Sequence, residues 1–352
     1  MVFRRNFRAI VSNCILLVFV LPAAPAQTGG RAQNTASGQP DSTSPFASAR
    51  KLLQLGKYDQ AITELEALRQ HNPEPSGLSH ELGVAYYRKG DYVSAVLHLQ
   101  AAQKENPKDE EAVQLTGLSL YLAGKPGEAI PYLERVQAWY PEANVDASYI
   151  LGVAYIQTKK YPEARRAFAK MFGVPPDSPP AYLFCGRMLL RLDFAPVAEE
   201  YAQKAIALDP KLPMAHFLLG ELYLYQSKIP EATAQFEQEL AVNPGYAAAY
   251  YKLADGYLRT QRFDEAEKLL QRSIWLDATS TGPFILMGKV LEKKGETELA
   301  VRALERAISM DPNNAMPHQL LGQAYRQLGR PEDAERELKQ AEQLQMRDSA
   351  KP

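Results

Sequence analysis

Small residues recur through most of this chain at a nearly constant interval. Gly or Ala stands at Ala49, Gly83, Gly117, Gly152, Gly186, Gly220, Ala254, Gly288 and Gly322, spaced by 34 residues except for a single step of 35. Twelve positions after each comes an alanine, at Ala61, Ala95, Ala129, Ala164, Ala198, Ala232, Ala266, Ala300 and Ala334. A chain that repeats at such a period does not gather around one central core. It makes one small supersecondary unit and stacks copies of it. The length of 352 residues would otherwise suggest two or three domains at about 100 to 200 residues each.

Within a copy the spacing is helical. Three residues past each small residue stands Leu or Tyr (Leu52, Tyr86, Leu120, Tyr155, Leu189, Tyr223, Tyr257, Leu291, Tyr325), and four past each alanine is Leu, Phe or, once, Ala202. Offsets of three and four fall on one helix face, so each copy is predicted to hold two amphipathic helices. Asn72-Pro73, Asn106-Pro107, Asp209-Pro210, Asn243-Pro244 and Asp311-Pro312 close several copies, where proline ends a helix. Between the helices a short turn carries Gly or a polar residue, and Pro162, Pro196 and Pro230 suit the first turn of the second helix, where a missing N–H costs nothing. The small side chains predict a close crossing of two antiparallel helices. The Leu, Tyr and Phe positions are expected to fill the layer between one pair and the next.

This pattern resembles the tetratricopeptide repeat, the 34-residue helix-turn-helix family, over roughly residues 42 to 345. The resemblance implies an all-α, right-handed superhelical solenoid of about nine repeats within 42–347, near 42–75, 76–109, 110–144, 145–178, 179–212, 213–246, 247–280, 281–314 and 315–347. Ala49 and Ala254 replace Gly, Ala278 replaces the closing Pro, and the extra residue is expected near Trp139-Tyr140-Pro141. Pro175 to Pro180 is either an interrepeat turn or a hinge between two halves. The last helix, from Glu332 to about Met346, reads as a polar cap.

Ahead of the repeats, Arg4, Arg5 and Arg8 precede an apolar run from Ala9 to Leu21, and Ala24-Pro25-Ala26 is a small-x-small cleavage site. That is the pattern of a signal peptide over residues 1–26. A lipoprotein box around Val11 to Cys14 and a twin-arginine signal at Arg4-Arg5 are weaker alternatives. Residues 27–41 are rich in Gly, Gln, Ser and Thr and read as a flexible linker. Of two cysteines, Cys14 lies in the leader; the other, Cys185, sits in an apolar run and reads as a buried hydrophobe. An exported protein of the periplasm or cell envelope is the expectation.

Lys and Arg number 40 against 41 Asp and Glu, which argues against a nucleic-acid partner needing a basic surplus. No chemical motif survives inspection. His80-Glu81 starts a zinc-protease string that ends at Val84, and Ser48-Ala49-Arg50-Lys51 lacks the companions of an acylating serine. Neither a metal nor a cofactor is expected, nor is the chain expected to be an enzyme. A hydrolase with a site in the groove is the contrary reading.

In proteins of the resembled family, first-helix residues at offsets −3, +1 and +4 from the small residue line a concave groove that grips a partner segment. Here the candidates are Tyr87, Leu118, Tyr121, Tyr149, Val153, Ile156, Leu183, Phe217 and Tyr251, with Arg187, Arg191 and Arg259 able to pair carboxylates. The competing assignment for each apolar residue is packing between copies. No copy carries the Lys and Asn pair with which chaperone-binding relatives hold acidic C-termini. The function expected is a scaffold for a protein or peptide partner in the envelope, or an accessory subunit of a polysaccharide, pilus or outer-membrane machine. A membrane-associated complex and self-association both stay open.

Overall fold

The computed structural model describes residues 44–139 and 145–349. The expected leader at 1–26 and linker at 27–41 lie outside the described residues, as do Cys14 and the Tyr140-Pro141 step where the extra residue was expected. Among the described residues there are helices and no strand.

The helices fall into nine consecutive pairs. They are α1 (Ala47–Gln54) with α2 (Tyr58–Leu68), α3 (Leu78–Lys89) with α4 (Tyr92–Glu105), and α5 (Glu110–Leu122) with α6 (Pro126–Trp139). Next come α7 (Val145–Gln157) with α8 (Tyr161–Met171), α9 (Pro179–Arg191) with α10 (Ala195–Leu208), and α11 (Ala215–Tyr225) with α12 (Ile229–Val242). The array ends with α13 (Ala247–Arg259) and α14 (Phe263–Leu276), α15 (Thr281–Lys294) and α16 (Thr297–Met310), and α17 (Ala315–Gln327) and α18 (Pro331–Ser349).

One backbone device turns the chain inside every pair. The residue seven past the small residue has positive φ in all nine: Gly56, Gly90, Gly124, Gly295 and Gly329, but also Lys159, Asp193, Ser227 and Gln261, at φ between 61° and 85°. The next N–H then reaches back to the carbonyl of the Leu or Tyr at +3, as in Arg262 to Tyr257 at 2.9 Å and Lys228 to Tyr223 at 2.8 Å. This satisfies helix-end carbonyls that would otherwise be orphaned. Glycine takes that conformation freely, whereas the four other residues strain against their own Cβ.

The eighteen small-residue and alanine positions are all buried, and the space above the glycines is filled from one place. A Cβ on Gly220 would lie 2.6 Å from the Phe236 ring; on Gly83, Gly288 and Gly322 it would meet Leu99, Leu304 and Leu338 at 2.5, 2.6 and 2.7 Å. Each filler is the residue four past the alanine of the same pair. The close crossing is therefore real, and the second helix drives a large knob into the notch of the first. Gly186 is the exception. Its own filler position holds Ala202, and Leu218 of the following pair fills the space instead, 3.0 Å from where a Cβ would sit.

Tyrosines at +3 join one pair to its predecessor. Tyr257 donates to Glu237 on α12 at 2.6 Å and Tyr325 to Glu305 on α16 at 2.9 Å, while Tyr155 donates to Glu134 on α6. The Arg262 guanidinium lies 3.8 Å above the Tyr257 ring and that of Arg330 4.2 Å above Tyr325. Burial first, and then the Glu237 carboxylate, push the Tyr257 phenol above its ordinary pKa. Each such bond contributes about 0.5 to 1.5 kcal/mol.

First helices approach the first helices of neighbouring pairs directly, as α3 does α5, α5 does α7, α9 does α11, α13 does α15 and α15 does α17. Among the described residues no second helix comes as near to the next second helix. The first helices thus line the inner, shorter side of the stack. At its end Ala334, Ala341 and Leu344 of α18 are buried while its remaining face is largely charged. The segment 175–180 is an ordinary turn into α9, with Ser178 donating to the Pro175 carbonyl at 2.6 Å.

Candidate functional site

The inner wall is built by first-helix side chains, so each position there is shared between solvent and the neighbouring pair. The described structure sorts the groove candidates accordingly. Tyr87, Leu118, Tyr149 and Tyr251 are half-buried and present part of their surface. Tyr121, Val153, Ile156, Leu183 and Phe217 retain only 4, 2, 0, 4 and 7% of their accessible area and pack within the stack. For these five the packing assignment applies. Phe217, for example, touches Phe236 and Tyr246 with ring centroids 5.5 and 4.9 Å apart. Leu190, Leu224 and Leu258, at the +4 offset, stay half-buried and extend the open apolar line. Tyr225 is exposed one position further on, its hydroxyl donating to Asp193 at 2.6 Å; a stripe drawn at −3, +1 and +4 misses it, and the offset +5 would have found it.

Burial raises the phenol pKa of Tyr87 to about 12 and that of Tyr251 in the same direction. Both remain neutral donors at physiological pH. The cations of the wall differ in their partners. Arg50 donates from Nε to Glu81 at 3.0 Å, Lys252 lies 3.3 Å from Glu221, and Arg259 donates to Asp255 at 3.0 Å. Arg259, expected to receive a carboxylate from outside, is already paired along its own helix. Arg187 and Arg191 are exposed and have no carboxylate within hydrogen-bond distance among the described residues; Arg187 reaches the Met214 sulfur, at 3.8 Å, and acts on the Tyr246 phenol.

The other sequence candidates are structural. His80 Nδ1 is 2.7 Å from Asp109 and Nε2 is 3.5 Å from Glu111, tying α3 to the start of α5. Glu111 and then, against the cost of burial, Asp109 raise its pKa to about 9. Ser48 donates to Glu64 at 3.1 Å. Cys185 is fully buried and burial pushes its thiol up to about 12. Near it lies Arg165, which pairs with Asp177 at 2.7 Å and caps the Tyr182 ring at 4.1 Å, while its Nε and Nη1 have no partner. Among the described residues no group of three or more His, Cys, Asp or Glu could hold a metal, and no helix is long and apolar enough to cross a membrane.

Two tetratricopeptide repeat family models match the chain, one at residues 46–110 and 217–283 and another at 291–350, together more than half of its length. The chain belongs to the tetratricopeptide repeat family. A model of subunit 3 of the anaphase-promoting complex, cyclosome, also matches residues 88–171 of this repeat protein. Among solved structures, MamA is similar at 23% identity, over 47% of this chain and 97% of MamA, with a TM-score of 0.44. MamA from Desulfovibrio magneticus RS-1 is similar at 18% identity over 50% and 98%, with a TM-score of 0.46. YrrB, a TPR protein with an unusual peptide-binding site, is similar at 22% identity over 51% and 93%, with a TM-score of 0.44. No curated protein matches the sequence.

Proposed function

We propose that this array is a non-catalytic scaffold that receives a segment of another protein along its inner wall. One observation carries the reading. Tyr87, Leu118, Tyr149, Leu190, Leu224, Tyr251 and Leu258 lie on successive first helices, and all keep apolar surface open to solvent. Partly open apolar side chains aligned along several helices suit the anchors of an extended or helical partner.

The experiment places a photo-crosslinking residue at Leu118 or Leu224 and, as a control, at Leu97 on a second helix, where the side chain is exposed. Crosslinks to a common partner from 118 and 224 but not 97, reduced by Tyr149→Ala with Tyr251→Ala, are expected. Equal yield from all three sites, unaffected by the double substitution, would refute the groove. We further propose an envelope location. The basic, apolar and small-residue sequence of 1–26 supports it, and cell fractionation with and without those residues tests it; retention of the full chain in the cytoplasm would end that reading.

A further inference from the structure

We infer that the partner segment is acidic, and that Arg187 and Arg191 are the residues that read its charge. The inference rests on the groove reading above and adds the chemistry of what lies there. Four residues apart on α9, the two guanidiniums stand on the same helix face and repel each other. Several other cations on the first helices of the first seven pairs have acidic neighbours. Arg50 has Glu81, His80 has Asp109 and Glu111, Lys252 has Glu221, and Arg259 has Asp255. Arg88 acts on Glu111. Lys289 and Lys293 repeat the spacing on α15, Lys289 reaching the Met316 sulfur at 3.6 Å, but Glu292 stands between them where α9 has the apolar Leu190.

Around α9 the acids are engaged elsewhere. Asp193 accepts from Tyr225, and Glu221 is held by Lys252. Glu221 and the buried Glu239, which act on the same Tyr246 phenol as Arg187, bond to Lys252 and to the Met214 and Phe217 N–H groups, so neither arginine has a carboxylate within hydrogen-bond distance among the described residues. Leu190 between them and Leu224 on α11, the first helix that approaches α9, are half-buried and apolar. A segment with two carboxylates beside an apolar residue matches both features: the apolar residue covers the leucines, and each carboxylate accepts from one planar guanidinium.

The test uses the full chain and two labelled twelve-residue peptides of Leu, Ala and Glu, one of them carrying Gln at every Glu. Fluorescence anisotropy at low salt should show the acidic peptide binding about tenfold more tightly than its twin, as two exposed ion pairs allow. The preference should shrink as salt is raised. Arg187→Gln with Arg191→Gln should abolish it and leave the weaker binding of the neutral twin intact. Tyr149→Ala with Leu224→Ala should weaken both peptides alike, so loss of the groove and loss of the charge reader give different patterns. Both arginines are exposed, so an unchanged melting curve will confirm that the variant folds, and Arg187→Lys with Arg191→Lys, expected to keep part of the preference, gives a second reading. Equal affinity of the two peptides for the native chain, absence of binding by either, or a preference that survives the Gln variant would overturn the inference. So would single-stranded DNA binding as tightly as the acidic peptide through the same two arginines, which would make the site a general polyanion site.

Discussion

Gly220→Ala tests the knob-and-notch packing at its tightest point. A methyl group there would sit 2.6, 2.8 and 2.9 Å from three carbons of the Phe236 ring. The ring is fully buried between α11 and α12 and has no solvent to swing into. Overpacking of this kind costs about 1 to 3 kcal/mol, while replacing glycine inside a helix returns about 1 kcal/mol. A net loss of up to about 2 kcal/mol is expected. Phe236→Ala alone should cost about 3 to 5 kcal/mol. With the ring gone the new methyl meets open space, so in that background Gly220→Ala should stabilise by its helix propensity of about 1 kcal/mol. The coupling between the two sites is then about 1 to 3 kcal/mol, in the range found for residues in contact. Urea unfolding of the four chains, with native-state hydrogen exchange on α11 and α12, measures it; exchange is needed because long repeat arrays do not unfold in one step. If Gly220→Ala stabilises the native chain, or the two changes add without coupling, the packing argument fails.

Ala198→Glu buries a carboxylate in a position with no accessible surface and should lower the melting temperature sharply, by an equivalent of more than about 4 kcal/mol; an unchanged melt would contradict the register. Gln261→Gly and Lys159→Gly relieve left-handed backbone at φ 62° and 61°, and each should raise stability by about 1 kcal/mol in thermal unfolding. His80 has a folded pKa of about 9, above its unfolded value of 6.5. Its contribution is therefore fully present below pH 6.5 and lost as pH rises through 9, so His80→Gln should flatten the melting temperature between those limits, and an unchanged slope would count against the Asp109 and Glu111 contacts. Cys185, buried with a raised pKa, should react with a thiol reagent only after denaturation.

The repeat was legible because the small-residue and alanine positions face the interior of their own pair, and spacing alone decides what happens there. The groove was harder to read. Ile156 and Leu224 share the +4 offset, yet one is fully buried and the other half-open, because cover is supplied by side chains outside the helix that carries them. Spacing on one helix carries no record of that cover. Arg259 and Arg191 likewise look alike until Asp255 is seen to hold the first. The tyrosine ties were partly visible in the sequence. Glu237 and Glu305 each stand twenty residues before their tyrosines, a recurrence that a search for inter-pair partners could have used.

Leu218 occupying the hollow above Gly186 has a consequence for how the polymer can be divided. Elsewhere a helical hairpin brings its own filler and could be severed from the following one with its interior complete. A chain cut between α10 and α11 would instead leave the fifth hairpin with a vacant notch over Gly186, since Ala202 is too short to reach it. Deletion or shuffling of hairpins should therefore be tolerated least at that junction, where two neighbours behave as one indivisible module.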